Sequence, residues 1–168
     1  MSIFHVTYEF PNQELLDYFK TTYSEMADWW APQDFENDKG LEGTYKGFKV
    51  NEKLHHDPLL NRIAKEFCDA YGISASFVTQ FIVLEPNTEL DWHVDRQPAG
   101  CGLNVLLSND NAPVEFEEGQ TYYKAALLNI RKRHRVPSNP NTRIMFRIVF
   151  YGDDSSFDEI KEKINEAN

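Results

Sequence analysis

Arg143-Ile144-Met145-Phe146-Arg147-Ile148-Val149-Phe150-Tyr151 is the stretch on which the fold turns. Side chains alternate across a β-strand, so Ile144, Phe146, Ile148 and Phe150 share one face. Arg143, Met145, Arg147 and Val149 share the other. Large apolar groups stand on both faces, which a strand with one side in water does not require. The stretch therefore reads as a strand covered on two sides. The Ile/Phe face suits packing against helices and the Arg-bearing face suits the lining of a barrel, although the alternation alone also allows the opposite assignment.

Upstream, the β-rich run Ser76-Phe77-Val78-Thr79-Gln80-Phe81-Ile82-Val83-Leu84 ends at the turn signal Pro86-Asn87. Short strand-like runs follow at 89–95, 101–107, 113–117, 121–123, 125–130, 133–136 and 142–151. Gly100, Asn109-Asp110-Asn111, Glu118-Gly119 and Pro137-Ser138-Asn139-Pro140 separate them. A succession of short strands preceded by helices predicts an α+β, mainly β protein: a double-sheet jelly roll or small barrel with helices on one outer face.

The N-terminal part predicts a strand over 3–9, a helix from Pro11-Asn12 to about Trp30, a loop over 31–43 and a strand over 44–50. Asp57-Pro58 carries the cap and first-turn residues of a second helix, whose apolar side is Leu59, Leu60, Ile63, Ala64, Phe67 and Ala70 and whose end is Gly72. A last helix spans about 156–167. The chain reads as one domain over 1–168, with a mixed helical support region (1–73), a β core (74–151) and a C-terminal helix (152–168).

With 168 residues, 41% of them hydrophobic and 14% aromatic, the chain has the composition of a globular protein. Its formal charge of −10 disfavours general nucleic-acid binding. The basic run Arg131-Lys132-Arg133-His134-Arg135 is a local exception, read either as a solvated edge or as a rim attractive to an anionic substrate. Cys68 and Cys101 form no CxxC pair and read as buried thiols in a reducing compartment. With no secretory leader pattern and no run of about 18 apolar residues, the expectation is a soluble cytoplasmic protein without a membrane segment.

The residues that carry chemistry lie in Glu89-Leu90-Asp91-Trp92-His93-Val94-Asp95-Arg96. On a strand, His93 and Asp95 point the same way and can grip one ion from one face. A histidine from a distant strand would complete a set of two imidazoles and one carboxylate that leaves coordination positions open, the arrangement of non-haem iron(II) oxygenases. The pair alone is weak evidence: with five histidines, a His-x-acid pair arises by chance about half the time. His55-x-Asp57 is such a pair, and there Asp57 has an ordinary capping task. His93 gains weight from His134, 41 residues on, and from Arg143, nine residues beyond that, whose guanidinium suits two-pronged binding of a carboxylate. Arg147 on the same face is its rival. Gln80 and Asn104 suit either polar pocket lining or sheet satisfaction, and Trp92, Phe77 and Tyr123 read most simply as core.

The ordered set His93-x-Asp95, His134 and Arg143 resembles the signature of the iron(II)- and 2-oxoglutarate-dependent oxygenases. Locally, Leu127-Leu128-Asn129-Ile130 through His134-Arg135-Val136-Pro137-Ser138-Asn139 to Arg143 resembles the distal-histidine segment of aspartyl/asparaginyl β-hydroxylase-like and prolyl-hydroxylase-like members. The resemblance covers roughly 76–151. It implies a double-stranded β-helix of the cupin-like kind and Fe(II) held by His93, Asp95 and His134. It also implies 2-oxoglutarate chelated to the metal with its far carboxylate on Arg143, and hydroxylation of a small molecule or protein side chain coupled to decarboxylation of the keto acid. Two other classes compete: a cupin-like metal enzyme that does not use 2-oxoglutarate, and a non-enzymatic jelly-roll binding module whose histidines are incidental.

Overall fold

The computed structural model describes residues 1–23, 35–37, 48–50, 57–95, 98–108 and 113–168. Two antiparallel sheets face one another. The larger, in spatial order, is β1 (Ile3–His5), β9 (Ala125–Leu128), β6 (Ala99–Leu106), β11 (Arg143–Tyr151), β4 (Ser76–Leu84) and β3 (Phe48–Val50). The smaller is β2 (Phe35–Asn37), β5 (Leu90–Asp95), β10 (His134–Val136), β7 (Pro113–Phe116) and β8 (Gly119–Tyr122). Neighbours in sequence lie in different sheets at most crossings, so the chain winds back and forth between two layers.

The alternation along β11 resolves as the Ile/Phe face outward to helices and the Arg-bearing face inward. Phe146, Ile148 and Phe150, with Phe81, Leu103 and Val105 from its neighbours, pack against Leu60, Ile63 and Phe67 of α2 (Pro58–Tyr71) and Ile160 and Ile164 of α3 (Phe157–Glu166). Met145, with Ile82, Leu84, Ala126 and Leu128, meets Leu90, Val114 and Phe116 of the smaller sheet in a second core between the layers. The strand is covered on two sides, and one side is reserved for the space where polar groups gather.

The helices form where their end signals stand. Asp57 Oδ1 accepts from the Leu59 and Leu60 amides at 2.9 and 3.1 Å, and its other oxygen accepts from the Tyr18 hydroxyl at 2.6 Å. Pro58 takes the first helical position, and Gly72 closes α2 in the left-handed region (φ 62°), where the Ile73 amide reaches the Cys68 carbonyl. Ser156 and Glu159 make a reciprocal cap on α3.

Several boundaries differ from the sequence reading. The first strand stops at His5, although the Val6 amide still bonds the Ala125 carbonyl at 2.9 Å. α1 (Asn12–Tyr18) widens into a π-helical turn over Phe19–Tyr23. The loop expected over 31–43 holds the short strand β2, Phe35–Asn37, which pairs with β5; its other residues, the rest of the helix expected to Trp30, most of the strand over 44–50, His55 and Arg96 lie outside the described residues. Both cysteines are buried free thiols, and burial raises the Cys68 pKa to about 12. Among the described residues no helix is long and apolar enough to cross a membrane.

Candidate metal centre

β5 and β10 are antiparallel neighbours, and their register sets His93 directly opposite His134. The two rings face each other with centroids 4.4 Å apart. Asp95, two residues beyond His93 on the same face, brings Oδ1 to 3.4 Å from the Nε2 of each histidine. The three side chains offer ligand atoms that all lie within 4.8 Å of one another. A register irregularity between His134 and Val136 keeps Leu90, Val136 and both histidines turned to the interior. Both histidines are buried.

The hydrogen bonds fix how the two rings are turned. His93 Nδ1 stands 2.6 Å from the Asp91 carbonyl oxygen, and His134 Nδ1 stands 2.8 Å from that of Lys132. A carbonyl only accepts, so each Nδ1 carries a proton and each ring turns its Nε2 to the Asp95 carboxylate. Two Nε2 atoms and a carboxylate oxygen thus converge on one small space. Atoms bound at about 2.1 Å and at right angles to one ion would be roughly 3 Å apart, close to the 3.4 Å seen here. The donor set fits a divalent transition metal, and the backbone contacts supply the orienting bonds that such ligands need.

Asp95 is held by more than its neighbours on β5. Burial opposes its charge, but the Arg147 guanidinium, 2.8 Å from Oδ2, and the two imidazoles outweigh that and hold its pKa well below the usual carboxylate range. Its amide donates to the Ile130 carbonyl at 3.0 Å, and its own carbonyl accepts from Arg131 Nη1 at 2.5 Å. Arg131, which belongs to the basic run, therefore bonds the backbone of the site.

The other cations of that run point away. Arg133 and Arg135 cover the Trp92 ring at 5.0 and 5.4 Å, and Arg135 pairs with Glu115 at 2.7 Å. Trp92, read from sequence as core, is therefore half-buried on the outer face of the smaller sheet, beneath two guanidiniums. Phe77 packs against the helix-side core and Tyr123 is buried between the layers.

On the facing sheet, Arg143 sits at the start of β11, 2% exposed, and donates from Nη2 to the Pro113 carbonyl at 3.1 Å. Arg147 lies four residues on, about 13 Å along the strand, between Gln80 of β4 and Asn104 of β6. Asn104 donates to the Tyr123 hydroxyl at 3.2 Å, and that hydroxyl lies 3.4 Å from Met145 Sδ. Met145 shares the inner face with both arginines, so this polar chain lies between the layers. The part of Tyr123 in it was missed from the sequence, where nothing distinguishes its hydroxyl from that of the exposed Tyr122. The direct bond from Arg147 to Asp95 was missed too; its one sequence trace is the shared face with Arg143.

Compared by sequence, the chain matches no protein-family model and no curated protein. Structure is more informative. A prolyl hydroxylase from Trichoplax adhaerens, solved with a hypoxia inducible factor oxygen degradation domain peptide fragment, superposes with a TM-score of 0.61 over 99% of this chain and 86% of that one, at 10% identity. A prolyl-4-hydroxylase from Pseudomonas putida gives a TM-score of 0.54 over 89% and 91%, also at 10% identity. This is a double-stranded β-helix. At such identity the likeness speaks for the fold alone, so what the site does rests on its own geometry.

Proposed function

We propose that the protein is an iron(II)- and 2-oxoglutarate-dependent oxygenase that hydroxylates a small molecule or a protein side chain. The observation that carries the reading is the convergence of two Nε2 atoms and one carboxylate oxygen, with a buried arginine on the inner face of the opposite sheet. His93, Asp95 and His134 would hold the metal. Bound Fe(II) with 2-oxoglutarate supplies the oxygen-activating chemistry that couples decarboxylation of the keto acid to C–H hydroxylation.

The chain's own residues do the rest. The Asp91 and Lys132 carbonyls keep both imidazoles in the tautomer that ligates. Arg143 receives the far carboxylate of the cosubstrate, because Arg147 is already paired with a carboxylate, that of Asp95. Met145, Leu84 and Val114 keep the interior apolar, which strengthens each charged contact inside it. The structural neighbours named above are prolyl hydroxylases. The likeness to aspartyl/asparaginyl β-hydroxylases rests on the 127–143 segment. Either kind is consistent with a side-chain substrate.

The test is an anaerobic absorbance titration with Fe(II) and then 2-oxoglutarate. The proposal expects a weak visible band from the keto-acid chelate that is absent in His134→Ala. Metal binding without a band would favour a cupin-like enzyme that does not use 2-oxoglutarate. No metal binding would leave a binding module with incidental histidines.

A further inference from the structure

We infer that Arg147 is a positioning residue that holds Asp95 as a one-oxygen metal ligand, with Gly102 as the floor on which its guanidinium lies. The inference rests on the metal site proposed above.

Asp95 has four polar handles, and three are occupied. Its amide is bonded to Ile130, its carbonyl to Arg131 and Oδ2 to Arg147. Oδ1 alone is turned to the two imidazoles. A free carboxylate can chelate an ion through both oxygens and so occupy an extra position. With Oδ2 held at 2.8 Å by a guanidinium, the carboxylate offers one oxygen and leaves the remaining positions for exchangeable ligands.

The contact spans the space between the sheets. Arg147 starts on β11 and ends against β5, and stacked sheets lie about 10 Å apart, so a long side chain is required. Gly102 of β6 supplies an independent sign that the guanidinium has a fixed place. A Cβ added at Gly102 would stand 3.0 Å from Arg147 Nη2 and 3.1 Å from Nε. Gly102 is not among the residues with positive φ, so the backbone does not demand glycine there, and a Cβ would press the guanidinium aside by a few tenths of an ångström. Among the described residues the orientation also leaves Arg147 Nε buried without a partner, so the hydrogen bond to Asp95 is kept in preference to one at Nε.

The sign of the effect on metal affinity separates positioning from charge. If Arg147 acted only as a nearby cation, its removal would tighten metal binding. If it orients the ligand, removal weakens binding, by about 10- to 100-fold for an outer partner of this kind. The experiment is calorimetric and visible-absorbance titration of the full-length protein with Co(II), comparing wild type, Arg147→Met, Arg147→Lys and Gly102→Ala, each checked for folding by circular dichroism.

The expected result is weaker binding and an altered Co(II) spectrum in Arg147→Met. Arg147→Lys should recover part of the affinity, and Gly102→Ala should shift in the same direction with the charge intact. Unchanged or tighter binding with the wild-type spectrum in folded Arg147→Met overturns the inference. If that variant does not fold, wild-type affinity and spectrum in Gly102→Ala overturn it instead. Failure of the wild type to bind Co(II) refutes the metal site itself and this inference with it.

Discussion

Replacing Arg143 by methionine separates cosubstrate binding from metal binding. The side chain is buried, with Nη2 donating to the Pro113 carbonyl at 3.1 Å, so the fork has a fixed arm and a defined aim. A carboxylate gripped by two charge-assisted hydrogen bonds gains about 1.5–3 kcal/mol from each. The sum corresponds to roughly 10²- to 10⁴-fold in affinity. The lower end is expected, because a stranded carboxylate recovers some of the loss from water that enters beside the methionine. Stability should change little. The Pro113 carbonyl loses a donor, at about 1–3 kcal/mol, while exchanging a buried charge for an apolar group of similar length offsets a comparable amount. The assay is 2-oxoglutarate titration in the presence of saturating Mn(II), with Mn(II) affinity measured separately. A 2-oxoglutarate affinity within threefold of wild type, with the metal still bound, would refute the placement of the carboxylate on Arg143.

Two other changes probe the scaffold. Ser156→Ala removes the reciprocal cap of α3 and should cost about 1 kcal/mol; in thermal unfolding that is a fall of roughly 2–4 °C in Tm for a chain of this size, and no fall would mean that the cap carries no stability. Glu118 accepts from the Ser2 hydroxyl at 2.5 Å, which with its backbone bond and Lys132 holds its pKa at about 2. Its folded pKa is depressed, so its contribution is present above the ordinary glutamate value and fades as pH falls towards 2; in Glu118→Gln, urea unfolding should show a deficit at pH 6 that shrinks below about pH 4 and closes only at about pH 2, screened to under about 1 kcal/mol by its exposure. A deficit that is constant with pH would contradict this.

How far the sequence led is clearest on β5 and β11. A period of two placed His93 and Asp95 on one face and sorted the β11 side chains into two sets, and the structure turns those sets as the helix-facing assignment expects. Order along the chain suggested His134, but the register that sets it opposite His93 depends on pairing between strands 41 residues apart, which local pattern does not encode. The Arg147 bond escaped for the same reason, since it crosses between sheets. Trp92 was misread because size and apolarity were taken for burial, whereas parity with Val94 puts it on the outer face under Arg133 and Arg135. The π-helical turn at Phe19–Tyr23 left no trace in a helical apolar repeat that ran on through it.

The two sheets are unequal supports. β4, β6 and β11 are eight or nine residues long, with helices behind them, whereas the strands that carry the ligand atoms, β5 and β10, have six and three. Backbone amides of the long strands should be the slowest to exchange, and those of the ligand-bearing sheet the first to open. An ion that joins β5 to β10 binds only when they are paired, and at a hundred times its dissociation constant it adds about 2.7 kcal/mol to that pairing. In the proposed metal-bound protein the weaker layer would draw part of its cohesion from the ion, and metal supply would set how long this side of the molecule stays closed.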